Sequence, residues 1–279
     1  MDYSDRPLFW EIDKSDDGRL WFWEINHNNL FSWQQDENII HKEIIPSYSK
    51  KNMSNISKPA HTLIKIYKNK IILIPRCTSK FLIYDLKNRM EHIVEIPEEI
   101  KCLTDSVESL FSACALNGDY LYLAGGNIPY IARLDLKSEQ IDKYINLFPK
   151  EKISNNNVFF KDIQLINGKL YVCCANLNRI YLVNPDDFTF SMVIVNAVKS
   201  GFTAIRSYKE KVILFPRYAD SICIWHIDEN IWETIDKYPD GFSFDGNGLR
   251  ELDFPIIIDN KAFIFPVLAS DVLVLDLAI

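Results

Sequence analysis

The 279-residue chain has no excess of basic residues and no long hydrophobic run. It carries 31 lysines and arginines against 38 aspartates and glutamates, and the formal net charge is -7. Binding to nucleic acid needs a basic field that neutralises phosphates, and this composition excludes one. No run is long and apolar enough to cross a bilayer. We therefore expect neither nucleic acid nor a membrane as a partner.

A signal peptide and a cysteine framework are also missing. The opening MDYSDRPLFW has acidic residues where the basic n-region of a signal peptide should stand. The cysteines show no C-x-x-C spacing, and most lie in apolar runs where Cys behaves as a small hydrophobe. They are Cys77, Cys102, Cys114, Cys173, Cys174 and Cys223. The sequence predicts reduced cysteines in a cytoplasmic chain, unless an export signal has been trimmed away.

Catalytic and metal-binding signatures are equally scarce. The five histidines are scattered, with no H-x-x-x-H spacing, so we expect no metal. No serine or cysteine stands in a nucleophile motif such as G-x-S-x-G, and we expect no cofactor. Carboxylate pairs brought together by the fold remain an open alternative.

Short runs of alternating apolar residues recur along the chain, each opened by turn residues such as Asn-Gly-Lys. They read RLWFWEI, KIILIP, DYLYLAGG, KLYVCCA, KVILFP and KAFIFP. A second β-like run follows each one and ends at a polar column of Gln34, Asp85, Asp135, Asn184, His226 and Asp276. The steps are about fifty residues, with one near forty, which is the period of propeller blades.

Two further columns stay in register with the polar one. The nearer contains Glu24, Pro75, Gly125, Cys174, Pro216 and Pro266. The earlier, mostly aromatic one contains Trp10, His61, Phe111, Phe160, Phe202 and Leu252. Each copy is therefore predicted to hold four antiparallel strands, a to d, which in the third copy are LFSACAL, YLYLAG, YIARLDL and QIDKYINL.

A sheet of this kind has two apolar faces, and stacking successive sheets buries both. We predict an all-β fold, a single domain over residues 1–279 that forms a six-bladed β-propeller. A sandwich is the alternative, and it predicts less regular strand spacing. The blades are expected at about residues 7–48, 59–98, 108–149, 157–196, 200–239 and 250–279. The last copy ends after strand c, so either residues 1–6 pair with its strand near residues 272–277, or it has three strands.

The repeat resembles that of Kelch-type propellers, which have a Gly pair after strand b, an aromatic-Asp step in strand c and a Trp in strand d. The third copy has Gly125-Gly126, the second has Tyr84-Asp85, and the fifth has Trp225 followed by Trp232. Pro-Arg stands in the glycine columns at Arg76 and Arg217. The resemblance implies a shared architecture, which is a weak guide to function.

Ligands of such folds are expected at the mouth of the central channel, where the b–c loops and the blade-to-blade loops emerge. Arg76 and Arg217 stand in b–c loops three blades apart, and we predict that they face each other and bind an anionic group between them. Failing that, Glu24, Asp220 or Asp253 would neutralise them. Asn176 and Tyr218 lie in the same set of loops.

The aromatic column offers a second set of candidates. Trp10, Phe160 and the in-register His61 form either a stacking ring for a ligand or the apolar seam between blades. Their neighbours Glu11, Lys161, Asp162 and Asp253 are expected to point into the channel, because adjacent residues of a strand face opposite ways.

The leading hypothesis is a non-catalytic binding module for a peptide, protein or glycan with acidic groups. Loops 47–60 and 240–250, which are longer than a propeller needs, would frame its site. The alternative is a sugar-active enzyme, a glycosidase, lyase or epimerase, that uses carboxylates and the two arginines. A purely structural subunit is a third reading.

Overall fold

The structure is a computed structural model. It describes residues 9–24, 29–34, 36–37, 39–43, 60–101, 109–148, 159–196, 198, 201–217, 221–238, 252–266 and 272–277. These residues form six consecutive antiparallel sheets in which sequential strands are neighbours. The all-β fold, a β-propeller with six blades, is thereby confirmed.

The first two blades each have four strands. Blade 1 consists of β1 (Phe9–Lys14), β2 (Leu20–Glu24), β3 (Asn29–Trp33) and β4 (His41–Glu43). Blade 2 consists of β5 (His61–Tyr67), β6 (Lys70–Pro75), β7 (Lys80–Asp85) and β8 (Met90–Glu95). A single helical turn, α1 (Glu98–Lys101), follows blade 2 and buries Ile100.

Blades 3 to 5 repeat this arrangement. Blade 3 consists of β9 (Phe111–Asn117), β10 (Tyr120–Gly125), β11 (Tyr130–Asp135) and β12 (Gln140–Asn146). Blade 4 consists of β13 (Phe160–Ile166), β14 (Lys169–Cys174), β15 (Arg179–Val183) and β16 (Phe190–Ile194). Blade 5 consists of β17 (Phe202–Tyr208), β18 (Lys211–Pro216), β19 (Ile222–His226) and β20 (Ile231–Ile235).

Blade 6 has three strands, which was one of the two predicted outcomes. They are β21 (Leu252–Ile258), β22 (Lys261–Pro266) and β23 (Leu273–Asp276). The other outcome, closure by residues 1–6, concerns residues outside the described part of the chain.

The chain divides into two compact units, and the division runs through blade 3. The first contains Met1–Ser112, Leu116–Leu121 and Ala132–Lys143, and the second contains Ala113–Ala115, Tyr122–Ile131 and Tyr144–Ile279. In the first unit, Trp21 and Trp23 of blade 1 pack in one core with Ile64 and Leu73 of blade 2.

In the second unit, blade 5 contributes to two cores. Val212 and Leu214 of β18 pack in a core with blade 4, and the alternate residues Ile213 and Phe215 pack in a core with blade 6. Side chains alternate across a strand, so this sheet buries both faces, as the repeat predicts.

The polar column ends strand c and builds the turn that follows. Asp85 Oδ1 accepts hydrogen bonds from the backbone N–H groups of Lys87 and Asn88, at 2.9 Å each. Asp135 Oδ1 accepts from Lys137 and Ser138 in the same way. A short acceptor side chain that caps its own turn is the reason that Asp and Asn prevail at this position.

One predicted column needs a correction. Glu24 pairs with Phe9, whereas its equivalents Pro75 and Cys174 pair with His61 and Phe160. A register shift in strand a, of the β-bulge kind, occurs in each of these blades. Because all three blades share this shift, it does not set blade 1 apart. Placing Trp10 in the aromatic column was wrong by one residue because the spacing between the paired positions of strands a and b is one residue longer in blade 1.

Candidate functional site

The residue after strand b is held by backbone hydrogen bonds to the segment that leads into strand a of its own blade. Arg76 N–H donates to Ala60 O at 2.8 Å, Ala175 N–H to Phe159 O at 2.9 Å, and Arg217 N–H to Gly201 O at 3.1 Å. The b–c loops and the lead-in segments therefore lie at one end of each blade, which we call the b–c end.

The same position also connects consecutive blades. Leu110 N–H, which leads into blade 3, donates to Arg76 O at 2.8 Å, and Phe159 N–H, which leads into blade 4, donates to Gly126 O at 2.7 Å. Arg76 thus uses both of its backbone groups, one within its blade and one toward the next. These bonds fix the backbone whatever the side chain is.

Two of the predicted site residues come together at the b–c end of the second unit. Arg217 Nη1 of blade 5 lies 3.3 Å from Asn176 Oδ1 of blade 4, within hydrogen-bond distance. Asn176 is exposed and Arg217 is partly exposed. The contact orients the guanidinium beside the loops of two adjacent blades.

Gly201 allows these two loops to approach each other. A Cβ added at Gly201 would lie 2.2 Å from Ala175 O and 2.6 Å from the backbone nitrogen of Asn176. Only glycine fits this contact without moving the backbone that carries Asn176.

Glu11 and Asp162 occupy equivalent positions in strand a, and each carboxylate bridges two consecutive blades. Glu11 Oε2 accepts a hydrogen bond from Ile64 N–H at 2.9 Å, and Lys65 Nζ lies 2.6 Å from Glu11 Oε1. Asp162 Oδ2 accepts from Ile205 N–H at 3.0 Å and pairs with the Arg206 guanidinium. In both cases a carboxylate in strand a of one blade binds a backbone N–H and the adjacent cation in strand a of the next.

These bridges were not predicted, because strand alternation led us to expect both carboxylates in the channel. Burial raises the pKa of Glu11, and Lys65 offsets part of this rise. A signal for the bridges does exist in the sequence. An acid stands in strand a of blades 1 and 4, and a base stands in strand a of blades 2 and 5.

The aromatic column lies in the interior. Phe111, Phe160 and Phe202 are fully buried, and Phe160 contacts Tyr181 edge to face with ring centroids 6.2 Å apart. This burial agrees with the second interpretation of the column, in which its side chains form the apolar seam between blades.

His61 is also part of the interior. It is 1% exposed, its Nε2 lies 2.9 Å from Lys80 O, and its ring meets Trp23 edge to face. Burial lowers its pKa to about 4, against a smaller opposing effect of the Lys80 carbonyl. The imidazole is therefore neutral at neutral pH.

Several predicted elements fall outside the described part of the structure. They are Tyr218, Asp220, the side chains of Trp10 and Asp253, the loop at 240–250, and residues 47–59 of the other long loop. Glu24 is described: it is buried, and its Oε2 accepts a hydrogen bond from Asn29 Nδ2 at 3.0 Å.

Metal and thiol chemistry gain no support from the described residues, among which no group of three or more potential ligands could hold a metal ion. Burial raises the pKa of the Cys223 thiol to about 12 and that of Cys173 well above its ordinary value. Thiols of this kind are poor nucleophiles, since the thiolate is the reactive form.

No helix in the described part of the chain is long and apolar enough to span a membrane.

Comparison with solved structures supports the fold. A catalytically inactive virginiamycin B lyase from Staphylococcus aureus with quinupristin is 15% identical, with a TM-score of 0.69 over 94% of this chain and 78% of that one. The extracellular domain of a one-component system from B. thetaiotaomicron is 12% identical, with a TM-score of 0.66 over 98% of this chain and 36% of that one.

A chain of the mitotic checkpoint complex is 10% identical, with a TM-score of 0.60 over 93% of this chain and 77% of that one. No protein-family model and no curated protein matches the chain. At these identities the likeness shows the fold alone, which hosts both a lyase and a component of a protein assembly.

Proposed function

We propose that the chain is a non-catalytic binding module that recognises a peptide, protein or glycan with acidic groups at the b–c end of its blades. The observation that carries the proposal is the contact between Arg217 and Asn176, which orients a guanidinium beside two loops. A guanidinium gives planar, bidentate donation to a carboxylate or phosphate.

Arg76 holds the same position in blade 2, in the first unit. Its backbone is fixed on both sides, so the position presents a cation on a rigid support. That Arg76 and Arg217 bind one anionic group framed by loops 47–60 and 240–250 stays a prediction from the sequence.

The carboxylates favour binding over catalysis. A glycosidase-like mechanism needs carboxyl groups that reach the substrate. Glu11 and Asp162 each bind a backbone N–H and a cation of the neighbouring blade, which assigns them to holding strands together. The enzyme alternative is therefore the weaker one.

The proposal also includes kinship with Kelch-type propellers and a cytoplasmic location. Two features agree with the kinship. A Cβ on Gly125 would lie 2.1 Å from Ile128 O, so blade 3 needs the first glycine of its pair. Trp225 and Trp232 stack at 5.2 Å in blade 5, which places the strand d tryptophan against strand c.

The test uses two anionic probes, a labelled oligoglutamate peptide and a uronic-acid oligosaccharide. Fluorescence anisotropy should show that an anionic probe binds the full chain against its formal net charge of -7. Arg217→Ala should weaken that binding about tenfold, the loss expected for one charge-assisted contact.

Lys169→Ala is the matched control, because Lys169 is an exposed cation at the start of β14, at the opposite end of blade 4. It removes the same charge and should leave binding unchanged. Equal losses of affinity in both variants would mean that net charge alone explains the effect. Failure of both anionic probes to bind would contradict the proposal.

A further inference from the structure

The b–c loop of blade 4 contains two asparagines, and each side chain has a partner outside the loop. Asn176 Oδ1 lies 3.3 Å from Arg217 Nη1 of blade 5. Asn178 Nδ2 donates to two backbone carbonyls that follow strand d of its own blade, Val198 O at 3.0 Å and Val195 O at 3.2 Å. The two amides therefore join one loop to two different parts of its surroundings.

The carbonyls that Asn178 binds belong to a turn in the connection from β16 to β17. Val198 N–H donates to Val195 O at 3.3 Å, and Val195 N–H donates to Asn178 O at 2.8 Å. Val195 is fully buried, Val198 is nearly so, and both side chains lie in the core shared by blades 4 and 5. A buried carbonyl that loses its donor is costly. Asn178 thus satisfies this turn and holds it against the b–c loop.

The same connection reaches Arg217 through Gly201, the residue before β17. A Cβ added at Gly201 would lie 2.2 Å from Ala175 O, so Gly201 packs directly on the b–c loop of blade 4. Gly201 O in turn accepts a hydrogen bond from the backbone N–H of Arg217 at 3.1 Å. Arg217 is therefore held twice from the same loop, at its backbone through Gly201 and at its guanidinium through Asn176.

We propose that Asn178 is a positioning residue of the anion-binding site, which fixes the connection between blades 4 and 5 and, through Gly201, the place of Arg217. The inference rests on the proposed function, because it concerns the same site. A binding group that is already in place loses less conformational freedom when the ligand arrives, and the affinity rises accordingly.

A purely structural role for Asn178 makes a different prediction. Loss of a structural hydrogen bond lowers stability, and its effect on binding does not depend on Arg217. Loss of a positioning residue weakens binding only while Arg217 is present to be positioned. A double-mutant cycle with Arg217→Ala separates the two roles, because it measures the dependence of one residue on the other.

Fluorescence anisotropy on the full chain tests the proposal, with the oligoglutamate peptide or the uronic-acid oligosaccharide, whichever binds the wild type more tightly. Asn178→Ala should weaken binding about fivefold, the loss expected when one side chain must be immobilised on binding. In the Arg217→Ala background the same change should cost no further affinity. Asn178→Ser, whose hydroxyl can still donate to one carbonyl, should lose less and serves as the second variant if Asn178→Ala does not fold.

Asn260→Ala is the matched control. Asn260 Nδ2 lies 3.1 Å from Asp276 Oδ1, so this change also removes an amide that binds across a blade, but at the end opposite the b–c end. It should leave the affinity unchanged, and thermal melts of all variants check that the fold is kept.

Two results overturn the proposal while the proposed function stands. One is a wild type that binds the probe and an Asn178→Ala variant that binds it equally well. The other is a loss of affinity on Asn178→Ala that persists in full when Arg217 is already alanine. A wild type that binds neither probe contradicts the proposed function and this inference together.

Discussion

Asp162 accepts a hydrogen bond from the backbone N–H of Ile205 at 3.0 Å and so connects strand a of blade 4 to strand a of blade 5. The same carboxylate pairs with Arg206, whose Nε donates to Pro255 O of blade 6 at 2.8 Å. Three consecutive blades of the second unit are linked through two side chains.

Asp162→Ala should lower the free energy of unfolding by about 2 kcal/mol, since a backbone N–H and a guanidinium lose their acceptor together. The melting temperature should fall by several degrees. Asp162→Asn keeps an acceptor for Ile205 and should cost less. Asp228→Ala, which removes an exposed acid from a turn of blade 5, is the control. Equal losses for Asp162→Ala and Asp228→Ala would mean that the bridge contributes nothing specific.

His61 should make stability depend on pH. Its pKa is about 4 in the folded chain against an ordinary 6.5, so the unfolded state takes up a proton first as the pH falls. Its contribution is complete above pH 6.5 and is lost between 6.5 and 4, by up to about 3 kcal/mol.

Urea unfolding across that pH range measures the effect of His61. His61→Gln should show a shallower decline than the wild type, because it removes the buried imidazole. Parallel curves for the two proteins would disprove the assignment to His61.

The turn after strand c holds a non-glycine residue in the left-handed region. Arg89 has φ 54°, and its equivalents Glu139 and Asn230 have φ 55° and 54°. Arg89→Gly should stabilise the chain by up to about 1 kcal/mol, because the left-handed conformation costs an L-residue roughly that much. Lys87→Gly, in the same turn but without positive φ, should destabilise. Thermal melts decide, and a lower melting point for Arg89→Gly would refute the prediction.

Gly201→Ala should be destabilising by about 1 to 3 kcal/mol, because the new methyl group meets backbone atoms that cannot move aside. Gly168→Ala is the comparison: it has φ 74° but no atom within 4 Å of an added Cβ, so it tests backbone strain alone. Gly201→Ala should lose more stability than Gly168→Ala, as measured by urea unfolding, and should also weaken binding through Asn176.

The repeat allowed most of the fold to be predicted from the sequence. The strand predicted as YLYLAG is β10, and the polar column ends strand c because its side chains cap the next turn. The bulge before Ile12 escaped prediction, since an extra residue in strand a leaves no trace in hydrophobic periodicity. The partners of Glu11 and Asp162 lie about forty to fifty residues away, and they become visible only when strands a of consecutive blades are compared.

The site was less predictable than the fold. The pairing of Arg217 with Asn176 depends on the close approach that Gly201 permits, and a lone glycine gives no sign of its partner. Burial of His61 and Phe160 follows from their column once it is interpreted as a seam.

The residue after strand b is anchored through its main chain, and the four described examples are Arg76, Gly126, Ala175 and Arg217. The side chain at this position can therefore change from the cation of Arg76 to the hydrogen atom of Gly126 without loosening the attachment of one blade to the next. Recognition can evolve there separately from stability, and a new ligand could be accommodated by exchanging side chains on a backbone that stays where it is.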